Sequence, residues 1–179
     1  MSCGGNSVFY VFGCLFLLTA LILDVIGVAA PYWIYGETSE GNYNCGLWKF
    51  CYSSTLIKSS RCSEYPDVED WVKAVRAFGL LGIFTSAIAL VSAILKIRLN
   101  DRVLVLIMAI IFSFISAVCN IVSIAVFAEK YHEWGKNIFF KFSFAFAFCA
   151  VSIVLSAIAG ICMIIDIAKR SSYTSIVGR

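Results

Sequence analysis

VLVLIMAIIFSFISAVCNIVSIAVFA, residues 103–128, contains no Asp, Glu, Lys or Arg. As a helix rising 1.5 Å per residue it reaches about 39 Å, more than the roughly 30 Å of hydrocarbon in a bilayer. Working outward, residues 77–95 and 142–165 are equally uncharged. The first block carries no charge over residues 1–23 and, allowing for Asp24, stays apolar to about Ala30. These blocks predict four transmembrane helices, over about 8–30, 76–97, 103–128 and 142–166. Composition agrees: the 179-residue chain is 61% hydrophobic and 14% charged, too little charge to clothe a soluble domain. The first block does not read as a cleaved leader, because it lacks a basic start and Val28-Ala29-Ala30 is a poor cleavage site.

An even number of spans leaves both termini on one side. Lys96, Arg98 and Arg102 crowd the short connection around 98–102, and Lys169, Arg170 and Arg179 the tail over 167–179, which places both in the cytosol by the positive-inside rule. Lys130, Lys136 and Lys141 in the 129–141 loop pull the other way, partly offset by Glu129 and Glu133. The cysteines supply a second argument. Cys14, Cys119, Cys149 and Cys162 lie in spans and read as small apolar packing residues, with reversible acylation an alternative for Cys162 and for Cys3.

Cys45, Cys51 and Cys62 share the 31–75 loop, where Asn44-Cys45-Gly46-Leu47-Trp48-Lys49-Phe50-Cys51-Tyr52 has the alternation and turn residues of β-structure. A Cys51–Cys62 bridge closes a hairpin there and survives only on an oxidising side, which puts this loop outside the cell. Spacing leaves alternatives open: Cys45 as the partner, as a free thiol, or bridged to a neighbouring molecule. Zinc is disfavoured because the loop contains no His.

Trp33, then Gly46-Leu47-Trp48, then Cys51 and Cys62 between the first two spans, with Arg76 at the mouth of the second, resemble the claudin superfamily. That superfamily includes the peripheral myelin protein, the epithelial membrane proteins and the lens tetraspan. The resemblance covers nearly the whole chain and implies one domain over 1–179. Its fold would be an all-α membrane protein: a left-handed four-helix bundle with a small extracellular antiparallel sheet in the first loop. The two cysteines would be bridged between adjacent strands, with Trp33 and Gly46-Leu47-Trp48 seating the sheet on the helix ends. Asp24, Ala30-Pro31-Tyr32-Trp33, Asp70-Trp71 and Phe127-x-x-Lys130-Tyr131 resemble the branch of the p53-effector tetraspan and the brain cell membrane protein. Two departures bear on function. Only twelve residues separate Trp33 from Gly46, which argues against strand polymerisation, and the terminal Arg179 argues against a PDZ ligand.

Asp24 reads as the one acidic residue inside a span, facing the bundle and bonded to a group such as Asn120 or Ser123. It serves as structural glue, with control of folding or partner contact, or a relay, as alternatives. Arg76 is expected to join loop to helices through carboxylates or loop carbonyls. Small residues at helical spacing, Gly82, Ser86, Ala89 and Ala93 on the second span and Ser152, Ser156 and Gly160 on the fourth, predict close helix packing, with lateral self-association as the other use. Six loop acids face five bases counting Arg76, a balance that predicts little selection among ions. His132 reads as solvated, and Ser171, Ser172, Thr174 and Ser175 beside Lys169-Arg170 as a candidate phosphorylation tail.

No catalytic triad, phosphate loop or metal cluster is legible, so no enzyme, cofactor or metal is expected. A pore is disfavoured by the lack of a polar stripe through the spans. The resemblance implies a non-enzymatic plasma-membrane tetraspan of cell-cell junctions, organising adhesion or a paracellular barrier through its stapled sheet. The alternative it implies is an auxiliary subunit of an ion channel or receptor. Expected partners are the lipid bilayer and membrane proteins of a junction or channel complex, with homo-oligomers included and nucleic acid excluded.

Overall fold

Serine and proline set the limits of the first helix in the computed structural model. The Ser7 hydroxyl accepts a hydrogen bond from the Tyr10 amide at 3.4 Å, and helix α1 (Val8–Ala29) stops just before Pro31, whose ring nitrogen cannot continue the ladder. Helix α2 (Asp70–Arg98) begins on an acid and ends with Lys96 and Arg98, both matching the helix dipole. Helices α3 (Val103–Trp134) and α4 (Phe144–Val177) outrun their uncharged blocks, since a helix need not end at the membrane surface. The structure describes the backbone of residues 2–3, 6–38, 41–54, 59–98, 103–134 and 140–177, and the side chains of these except 2–6, 132–140 and 171–177. The readings for Cys3, His132, the 99–102 turn and the tail hydroxyls lie outside the described residues.

All four helices are long and apolar enough to cross a membrane. Helix α2 packs mainly on α3 and α1 mainly on α4, and the α3–α4 and α1–α2 contacts close a ring α1-α2-α3-α4. The bundle is large outside and small inside. Phe84, Leu104, Val118 and Val154 point outward, whereas Ala89, Ala93, Ala109 and Ala159 are buried. A Cβ on Gly27 would lie 2.6 Å from the Cys149 sulfur, and one on Gly82 2.7 Å from the Asn120 amide, so glycine permits these close approaches. The small residues expected to pack helices thus do so within the bundle. Two apolar clusters result: one around Tyr10, Leu17, Leu106 and Met163 at the far end, the other around Trp33, Leu47, Val75 and Phe127 at the sheet end.

A short hairpin, β1 (Ser2–Cys3) and β2 (Asn6–Ser7), precedes α1. The main sheet holds β3 (Ile34–Thr38), β4 (Gly41–Cys45), β5 (Lys49–Ser54), β6 (Ser59–Glu64) and β7 (Phe140–Phe142). Among the described residues it is antiparallel with order β6-β5-β4-β3-β7. The sheet expected in the first loop is present in β3 to β6, and a further strand joins it. Strand β7 comes from the connection between α3 and α4 and pairs with β3, Ile34 opposite Phe142 and Gly36 opposite Phe140. Three residues carry too little pattern to announce a strand, and β7 exists because β3 offers it a free edge.

Candidate interaction module: the stapled sheet and its seat

A helix leaves its last four carbonyls without intrahelical partners. At the end of α1, three of them are taken up in succession. The Ala30 amide donates to the Ile26 carbonyl at 2.9 Å, the Trp33 indole to the Gly27 carbonyl at 2.8 Å, and the Trp48 indole to the Val28 carbonyl at 2.9 Å. The two tryptophans of the loop therefore cap the first helix. Trp33 is fully buried, edge-on to Phe127 at 4.7 Å and Phe146 at 5.8 Å between ring centroids. Gly46 lies so close to the chain leaving α1 that a Cβ would stand 2.4 Å from the Pro31 Cα. Leu47 is buried beneath the sheet, and its carbonyl accepts from the Arg76 Nε at 2.8 Å. The Arg76 guanidinium also lies 4.7 Å from the centre of the Trp48 ring. Arg76 thus meets a loop carbonyl and an indole face, tying α2 to the strands that cap α1.

Cys51 and Cys62 face each other across β5 and β6 and form a disulfide. Cys45 is a free thiol. The register explains the choice that spacing left open: Cys45 pairs with Phe50, one residue before Cys51, and so projects from the opposite face of the sheet. Burial pushes the Cys45 thiol above its ordinary range and does the same to the neighbouring Tyr65 phenol, which donates to the Gly46 carbonyl at 3.1 Å.

Between the two apolar clusters lies a polar layer. Asp24 is buried, accepting from the Asn120 amide at 2.7 Å on one oxygen and from the Ser152 hydroxyl at 3.2 Å on the other. Asp24 thus links α1, α3 and α4. Ser123, the other expected partner, donates instead to the Val75 carbonyl at 3.0 Å.

Three sequence expectations are corrected here. Asp24 is not alone, because Asp166 of α4 is fully buried and pairs with Lys96 of α2 at 2.9 Å, with the Arg170 Nε 3.4 Å away. Lys96, counted among the charges of the cytosolic turn, instead points inward over the Tyr10 ring at 3.7 Å. Nor do the spans lack a polar stripe: Ser113, Ser116, Asn120 and Ser123 form a buried seam along α3. Its hydroxyls donate to the Ser156, Gly82 and Val75 carbonyls of neighbouring helices, so the seam binds helices together. Asp166 lay at the very edge of an apolar block, and its depth equal to that of Lys96 was the one signal available.

The module presents β6, an edge strand with five of its six residues exposed, on a base fixed by two indoles, an arginine and a disulfide. The family model described as PMP-22/EMP/MP20/Claudin matches residues 6–163, which span β2, helices α1 to α3, the stapled sheet and α4 as far as Met163. With four apolar helices and a disulfide in the sheet, this chain belongs to the PMP-22/EMP/MP20/Claudin family.

Proposed function

We propose that this protein is a non-enzymatic plasma-membrane tetraspan of cell-cell junctions, organising adhesion or barrier contacts through its sheet. The observation that carries the reading is the stapled sheet itself, held to the helix ends and exposing the β6 edge. An exposed edge can accept a strand from a partner, and its polar text, Ser59-Ser60-Arg61-Cys62-Ser63-Glu64, disfavours indiscriminate pairing. The disulfide favours an oxidising side for the sheet, and the Arg98, Lys169 and Arg170 charges favour the cytosol for both termini. Members of the matched family generally work by contact and not by catalysis, which supports the non-enzymatic reading.

Removing the protein from an epithelial sheet tests this. Shear should then break the sheet into more fragments, with re-expression restoring cohesion; unchanged cohesion contradicts the proposal. An auxiliary role on a channel or receptor is the second reading, supported by the short β3–β4 hairpin, in which Thr38 already pairs with Gly41. Stoichiometric co-purification of a channel from native membranes would favour it over the junctional one.

A further inference from the structure

At the sheet end, a cavity of about 80 Å³ opens between the turn after β4, the segment leading into α2 and the end of α3. Four aromatic side chains, Tyr65, Trp71, Phe127 and Tyr131, contribute to its wall, and Asp67 and Glu69 are the charged residues lining it among the described residues. The Tyr65 hydroxyl is bonded to the Gly46 carbonyl, and the Trp71 indole N–H to Glu69 at 2.7 Å. What these two rings retain for an occupant is π surface. Trp71 and Phe127 lie 6.1 Å apart between centroids, and Phe127 stacks on Tyr131 at 6.5 Å, so three of the rings are contiguous.

We propose that this cavity binds a quaternary ammonium group. Aromatic faces and carboxylates attract a cation, and among the described residues no lysine or arginine lines the cavity. A primary ammonium would lose strong hydration against the apolar remainder of the wall, Ile34, Leu47 and Val72 among it. A methylated ammonium spreads its charge beneath apolar methyls and loses far less. The site lies where α2 begins, at the sheet end of the bundle, and the choline headgroup of a phospholipid is one source of such a group. A soluble quaternary ammonium carries the same chemistry. The inference stands independently of the junctional role.

The test uses the intact, disulfide-bonded protein in two arms. In bilayers of equal phosphatidylcholine and phosphatidylethanolamine with matched chains, the lipid retained after mild extraction is quantified; in detergent, tetramethylammonium chloride is titrated against a sodium chloride control by calorimetry. A lipid occupant predicts about fivefold enrichment of phosphatidylcholine together with saturable tetramethylammonium binding. Saturable binding without enrichment assigns the site to a soluble ammonium. The D67N/E69Q variant, which keeps oxygen acceptors at both positions, should weaken tetramethylammonium binding about tenfold at unchanged thermal stability. No saturable binding in the wild type, or full affinity in D67N/E69Q, overturns the proposal.

Discussion

The Gly27 and Val28 carbonyls explain why two loop tryptophans belong to the fold of the membrane helices. Each indole satisfies one acceptor that α1 would otherwise leave open beneath the sheet. Trp48→Phe keeps most of the ring and loses the donor, so it should lower stability by about 1–2 kcal/mol, read from thermal unfolding in detergent. Cys62→Ser removes the staple and should cost about 2–4 kcal/mol in the same assay. Asp24→Ala strands the Asn120 amide, whereas Asp24→Asn keeps an acceptor there. The alanine variant should therefore be the less stable by about 1–2 kcal/mol in that assay. Cys45 makes a pH prediction. Its folded pKa is raised, so the unfolded thiol ionises first, and the stability this thiol contributes is present below about pH 8.5 and lost as pH rises beyond it. Unfolding midpoints measured from pH 7 upward should fall less steeply in Cys45→Ala than in the wild type.

At the scale of elements, the ring of helices is crossed on both diagonals by polar side chains. Asp24 of α1 meets Asn120 of α3 near the middle, and Lys96 of α2 meets Asp166 of α4 at the far end. A buried ion pair is costly to break and of small net benefit to keep. Lys96→Met alone should destabilise by about 3 kcal/mol because it leaves the buried Asp166 to the partly exposed Arg170, 3.4 Å away, while K96M/D166L together should regain most of the loss. A double-mutant cycle on thermal unfolding separates these outcomes. Strand β7 makes a comparable link by attaching the α3–α4 connection to the β3 edge, so the sheet rests on both halves of the bundle.

Across the whole molecule, composition and spacing carried the architecture a long way. Uncharged runs located four helices because lipid tolerates few charges, and the Trp33, Gly46-Leu47-Trp48, Cys51 and Cys62 set pointed to a stapled sheet through its resemblance to the claudin superfamily. Cys45 was undecidable from spacing, since strand register assigns it to the other face. Long-range pairings were the illegible part. Lys96 reads as one more basic residue of a turn until α4 brings Asp166 beside it, and the α3 seam of serines reads as neutral until neighbouring carbonyls receive its hydroxyls.

The proposed function requires this seated sheet to meet a neighbouring cell. Its most direct test is the fluorescence of tagged protein at the border between two expressing cells, divided by that at their free membranes, for the wild type and for a surface-expressed C51S/C62S variant. The account predicts marked border enrichment for the wild type, reduced toward an even distribution once the staple is removed. Even distribution of the wild type, or full enrichment without the disulfide, would contradict it.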